Sequence, residues 1–140
     1  MLEEGPKKII RSSKPIRYIV VHLFNDYSGS PRVLADFCKS EAIQSQSLSI
    51  VTSASKGFLE DDLGEKTIIW CPRGRFRLLN YCSFALSQVQ LFFVSLFLIL
   101  RSWLRREKVV LINNTILSLG SMLASKITGT KNITYIHEIN

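Results

Sequence analysis

Five short apolar runs punctuate the chain, at 17–24, 48–52, 67–71, 109–113 and 132–137. The first is β-branched or aromatic at nearly every position, so neither face is polar. That predicts a strand buried on both sides, as in parallel sheets covered by helices. Between the first two runs, Val33, Leu34, Phe37, Cys38 and Ala42 recur at helical spacing on one stripe, with Ser30 placed to cap the helix and Pro31 at its first position. Residues 53–66 read as a solvated connection with room for a short helix, and 78–107 as one long helix. A last helix is expected over 115–128, capped by Asn114 or Thr115, with a stripe of Ile116, Leu119, Leu123 and Ile127 and with Gly129 ending it.

Strands alternating with helices indicate βαβ units and a parallel sheet. The expected fold is α/β, a Rossmann-like open and mostly parallel sheet with helices on both faces. Residues 1–16 form a charged, flexible, basic lead-in carrying Pro6 and Pro15, and 17–140 form a single domain. Right-handed crossovers gather every strand-to-helix turn on one edge of such a sheet. That edge would collect 25–30, 113–115 and the pair His137 and Glu138.

Residues 84–104 are the most apolar stretch and approach the length of about 20 residues that a membrane span requires. Arg101, Trp103, Arg105, Arg106 and Lys108 would suit a cytoplasmic interface. Gln88 and Gln90 interrupt the run, and the segment lies between two strands of one sheet. A core or membrane-surface helix and a true span are both readings of it, the first preferred, because a helix that left for the bilayer would split the domain.

The net charge of +7 favours anionic partners such as lipid headgroups, phosphorylated ligands or nucleic acid, or is an incidental basic surface. The aromatic residues sit in apolar runs rather than among the basic ones, which argues against nucleic acid. Cys38, Cys71 and Cys82 form neither a disulfide framework nor a zinc pattern. The first residues lack the apolar core of a secretory signal. A cytoplasmic setting follows, at the inner face of the membrane if the apolar helix lies on it.

Ser28, Gly29 and Ser30 lie between a strand and a helix start, where unpaired backbone N–H groups and the helix dipole favour an anion such as phosphate. The same tripeptide also reads as an ordinary capped turn. It matches neither dinucleotide-binding nor Walker-type glycine patterns. His137 can bond a sugar hydroxyl or transfer a proton, with Glu138 beside it, or can simply pack at the surface. His22 reads as a core histidine. Asn114 reads first as a helix cap and second as a ligand contact. Arg73, Arg75 and Arg77 form a solvated turn, the preferred reading, or a phosphate or headgroup patch. No catalytic triad and no metal site can be assembled.

The order of these pieces resembles the N-terminal half of group-1 (family 4) glycosyltransferases, which pair two Rossmann-like domains in the GT-B arrangement. The residues concerned are 18–24 followed by Ser28, Gly29, Ser30 and Pro31, the helix from Val33, then 109–115, the helix over 117–129, and 133–138. The resemblance implies retaining transfer of a sugar from a nucleotide-sugar substrate to a polysaccharide, lipopolysaccharide or other lipid-linked acceptor, with no cofactor or obligatory metal. It implies that Ser28, Gly29 and Ser30 approach the donor diphosphate and the acceptor and that His137 lies by the transferred sugar, and Asn114 and Glu138 are the further expected substrate contacts. The loop reads Ser-Gly-Ser where the family has two glycines. The family's donor-binding C-terminal domain is expected to be missing, leaving a truncated or split acceptor-side half that is inactive alone and is completed by a separate C-terminal half. The alternative is a small non-enzymatic basic module that binds a nucleotide, an anionic lipid or a partner protein.

Overall fold

The computed structural model describes residues 14–24, 29–53, 56–59, 63–71 and 75–135. In chain order the elements are β1 (Ile16–His22), α1 (Gly29–Lys39), α2 (Glu41–Gln44), β2 (Ser47–Ser53), β3 (Glu65–Ile69), α3 (Arg77–Leu104), β4 (Lys108–Asn113), α4 (Leu119–Thr128) and β5 (Lys131–Thr134). The strands form one all-parallel sheet in the order β3-β2-β1-β4-β5. The fold is α/β and Rossmann-like. The first four strands lie within two residues of their expected places, whereas β5, expected over 132–137, ends at Thr134, with Tyr135 outside it and 136–137 outside the described residues. β3 starts earlier than 67 because Glu65 and Lys66 join the ladder, and Trp70 and Cys71 fall just beyond it. An edge strand tolerates charged residues that a central one would not.

β1 is central, and its two faces feed two cores. Ile19, Val21 and Leu23 pack with Val51, Ile69, Leu111 and residues of α3 and α4. Val20 packs on the opposite face with Ile50, Ile112 and the α1 side chains Leu34, Ala35 and Cys38. The buried stripe of α1 is therefore Pro31, Leu34, Ala35 and Cys38, whereas Val33 and Phe37 face solvent. Leu59 and Leu63, in the connection after β2, plug the same layer; among its described residues that connection holds no helix.

The other layer departs most from the sequence pattern. α4 is shorter than 115–128 and buries Gly120, Ser121, Ala124 and Ser125. Its expected stripe points outward, with Leu123 51% and Ile127 64% exposed. α3 buries Ser83, Ser87, Leu91, Ser95, Leu98, Ile99 and Ser102. Small residues thus form the contact between the two helices, and bulky ones are turned away from it. A Cβ on Gly120 would stand 2.1 Å from the backbone oxygen of Gln88, so the two backbones approach too closely for any other residue there. Several of the buried serine hydroxyls bond carbonyls of their own helix, Ser87 to Phe84 (2.6 Å), Ser102 to Leu98 (2.7 Å) and Ser125 to Met122 (2.7 Å).

Neither Asn114 nor Thr115 caps α4. Ser118 precedes its first turn without a side-chain cap bond. Gln88 of α3 does that work from the neighbouring helix, its Oε1 accepting from the Gly120 N–H at 3.0 Å. Gln90 accepts from the Trp70 N–H at 2.9 Å, pinning α3 to the end of β3. The two glutamines that interrupt the apolar run are clamps on the domain's own backbone.

Both helices of this layer end on a left-handed residue. Gly129 (φ 67°) closes α4, with Thr130 N–H reaching Ser125 O at 3.0 Å. Arg106 (φ 59°) closes α3, with Glu107 N–H reaching Ser102 O at 3.0 Å. At the sheet's amino edge, buried Arg17 forks onto Glu107, with Nε donating to Oε2 at 2.7 Å and Nη2 to Oε1 at 3.3 Å. Its Nη1 reaches Ser49 and Glu65. The hydrogen bonds from Arg17 hold the Glu107 carboxyl below its ordinary pKa and raise that of the guanidinium.

Candidate functional site

Strand order reverses between β1 and β4, the place where open α/β sheets part to leave a crevice at their carboxyl ends. Three elements meet there. His22 ends β1, Ser30 sits in the first turn of α1, Asn113 ends β4 and Asn114 follows it. The register brings His22 level with Thr52 of β2, and Val21 level with Asn113.

Asn114 is the joint. Its Nδ2 donates to Ser30 Oγ at 2.8 Å and to Ser30 O at 3.2 Å, and lies 3.3 Å from His22 Nδ1. The side chain is buried and ties the start of α1 to the ends of β1 and β4. Asn113 is also buried; its Nδ2 donates to Asn132 Oδ1 at 2.8 Å, and its Oδ1 accepts from Ser121 Oγ. The two adjacent asparagines brace opposite neighbours, α1 on one side and β5 with α4 on the other.

Ser30 is therefore not the cap expected of it. α1 begins at Gly29, which puts Ser30 inside the first turn and Pro31 at the third helical position, where a missing N–H is still harmless. Gly29 has helical backbone, and a Cβ added to it would meet open space. His22 is buried and engaged, in keeping with its reading as a core histidine. Of the other expected site residues, Ser28, His137 and Glu138 lie outside the described residues, as does Arg73. The edge brings Gly29, Ser30 and Asn114 together.

Sequence reasoning missed two further groups at this edge. The hydroxyls of Thr52 and Ser118 are buried and have no hydrogen-bond partner among the described residues. A β-branched Thr inside a strand and a Ser before a helix carry no sequence signal that would single them out. Neither α1 nor α4, the two helices that begin at this edge, has an acidic residue in its first turn. Their N-terminal dipoles stay uncompensated, which favours an anion, while Arg75 and Arg77 are exposed at the far start of α3. Among the described residues no group of three His, Cys, Asp or Glu converges as metal ligands.

Concavities also lie at the opposite, amino edge. One of about 610 Å³ is lined by Lys14, Trp103, Arg106, Lys108 and Lys131 among others. Another of about 520 Å³ is lined by Met122, Lys126, Gly129 and Asn132 near the end of α4. Comparison of the chain with protein families, with characterised proteins and with solved structures finds no match.

Proposed function

We propose that this domain is the acceptor-side half of a glycosyltransferase that moves a sugar from a nucleotide-sugar donor to a polysaccharide or lipid-linked acceptor. The observation that carries the reading is the Asn114–Ser30 joint. The two segments that the resemblance assigns to the ligands, 84 residues apart, are bonded to each other across the switch point. The polarity of the edge supports it as well, since a diphosphate would meet the N-termini of α1 and α4 and no acidic first turn.

In this reading the bond from the anomeric carbon to the donor phosphate oxygen breaks, and an acceptor hydroxyl oxygen forms the new glycosidic bond. The nucleoside diphosphate leaves, and the acceptor proton passes to a base or to the leaving phosphate. Gly29 and Ser30 offer backbone N–H groups to the diphosphate. Asn114 keeps those groups aimed by holding Ser30. His137 and Glu138 are the residues assigned to the transferred sugar. A second wall of the cleft is required to position donor against acceptor, and a second domain, on this polypeptide or another, supplies it. The reading places the domain on the cytoplasmic side, where nucleotide sugars are made.

Amide-resolved NMR titration tests this. Nucleotide sugars and a short-chain lipid-linked sugar should shift the amides of Gly29, Ser30, Asn114 and Thr115. No shifts with any of them, or shifts confined to the amino edge, overturn the assignment. The purified 140-residue chain should transfer no sugar alone; robust turnover would refute the need for a second wall.

A further inference from the structure

The layer formed by α3 and α4 is turned inside out for a water-facing pair. Its internal contact is made by small and polar residues, and its outer face by large apolar ones. Along α3, Leu86, Val89, Phe93, Phe97, Leu100 and Leu104 follow one another every three or four residues, all exposed, with Phe93 61%, Phe97 62% and Leu104 87% open. No charged residue falls between Arg77 and Arg101. On α4, Leu119, Leu123 and Ile127 continue the same apolar face. Close approach through small residues with bulky ones outward is how helices pack when the surroundings are lipid rather than water. Several polar groups of α3 that would resist an apolar medium are already used internally, Gln88 Oε1 on Gly120, Gln90 Oε1 on Trp70, Ser87 and Ser102 on their own helix, and Ser95 Oγ and Gln88 Nε2 are buried away from the outer face.

Charge is distributed to match. Residues 75–135 carry eight basic side chains and one acidic, Glu107, while the rest of the chain carries ten of each. The whole net charge of +7 therefore belongs to the half of the chain that builds this layer. Glu107 is itself held by Arg17. Arg105 and Arg106 stand exposed at the end of α3 next to Trp103, and the basic cavity of about 610 Å³ opens there. An apolar face with a basic, tryptophan-bearing rim suits the headgroup boundary of an anionic membrane. A second copy of the chain is a poorer occupant, because it would bring two such basic rims together.

We propose that the outer faces of α3 and α4 dock on an anionic lipid bilayer, with both helices lying in the plane of its surface. α3 does not cross. Leu91, Leu98 and Ile99 are committed to the sheet, and the strands on either side of the helix belong to that sheet. The surface stands independently of the sugar-transfer reading, because it uses none of the carboxyl-edge residues.

Vesicle co-sedimentation tests it with lipid alone, without sugar donor or acceptor, so that failure of one proposal does not imply failure of the other. The wild-type chain should pellet with equimolar phosphatidylglycerol and phosphatidylcholine, and far less with phosphatidylcholine alone. Phe93→Glu with Phe97→Glu should weaken partition by about a hundredfold or more with the circular dichroism spectrum unchanged. Arg105→Glu with Lys126→Glu should weaken binding to the anionic vesicles by about tenfold or more. In a Trp70→Phe background, Trp103 should be quenched by brominated lipids, and thiol labelling of Cys82 should slow on vesicle binding. Alkaline carbonate should release the bound protein. Failure to pellet, full binding by the Phe93/Phe97 double variant, resistance to carbonate, or a lipid-free dimer that the same double variant dissociates would each overturn the proposal.

Discussion

Gly120→Ala is the most direct probe of the inside-out layer. The added methyl would sit 2.1 Å from the backbone oxygen of Gln88 and 2.9 Å from the backbone nitrogen of Phe92. Both obstacles are α3 backbone, so no rotamer change relieves them, and the helices must separate by roughly 1 Å to restore ordinary contact distances. Overpacking of that kind costs about 1–3 kcal/mol. Separation also breaks the bond from Gly120 N–H to Gln88 Oε1 and strands a buried amide, for about 1–3 kcal/mol more. Alanine returns about 1 kcal/mol through helix propensity. The net expectation is a loss of about 1–5 kcal/mol, or a Tm lowered by roughly 3–15 °C in a domain of this size. Gly29→Ala is the matched control. Its methyl meets nothing within 4 Å, so stability should hold or rise by up to about 1 kcal/mol. Urea and thermal melts followed by circular dichroism read both variants. If Gly120→Ala proves as stable as wild type, the two backbones are not in close contact. The rotation that turns Leu123 and Ile127 outward then falls with that contact.

Three further outcomes follow from groups elsewhere in the fold. Arg106→Gly should stabilise the domain by about 1 kcal/mol, because Arg106 closes α3 at φ 59°, a backbone region that disfavours any side chain; a Tm raised by roughly 3 °C checks it. Glu107 has a folded pKa below the ordinary glutamate value of about 4.3, so its pairing with Arg17 stabilises fully above that value and is lost as pH falls through the depressed one. Glu107→Gln should cost about 2–3 kcal/mol at neutral pH, less than a fully broken buried pair because Arg17 keeps Ser49 and Glu65, and should flatten the acid limb of a urea-midpoint-versus-pH curve; an unchanged acid limb would refute the pairing. Burial pushes the Cys38 thiol up to about 11, so alkylation at mildly alkaline pH, read by peptide mass, should spare Cys38 in the folded protein and label exposed Cys82.

The parallel sheet and the gathering edge were legible because two-sided burial of β1 admits few architectures, and crossover handedness then fixes where turns collect. The meeting of Ser30 with Asn114 follows from that geometry. The face of α4 was not legible by the same logic. A hydrophobic stripe is assigned inward on the premise that large residues seek the core, and here the neighbour is a second helix at backbone contact. The spacing of Gly120 with Ala124 and of Ser121 with Ser125 is the signal that competes with the stripe, and it won. Val33 and Phe37 failed in a milder way, since α1 turns Leu34, Ala35 and Cys38 inward instead. Arg17 was hidden for another reason. Its partner Glu107 is 90 residues away, and nothing local distinguishes an arginine near the start of a strand that will be buried from one that will be exposed.

The two ends of α3 relate the apolar face to the crevice. Arg101 reaches Glu65, the first residue of β3, while Gln90 holds Trp70, just past the last. The sheet is therefore spanned by 90–101, and the turns from Arg77 to Val89 rise beyond its carboxyl edge by about 20 Å. The start of α4 supports that overhang through Gln88 on Gly120, and Phe84 packs on the core from it, while Leu78, Leu79 and Tyr81 at its tip remain exposed. The overhang stands on the same edge as His22, Ser30 and Asn114. A bilayer along the outer face of α3 would reach past the sheet to the border of the crevice, and a lipid-linked acceptor could enter from the membrane side without leaving the headgroup layer. Under the two proposals together, the Phe93/Phe97 double variant should lose transfer to a vesicle-borne acceptor in the completed enzyme while keeping transfer to a water-soluble one. Equal loss on both acceptors would show that the apolar face supports the fold of the crevice rather than its access to lipid.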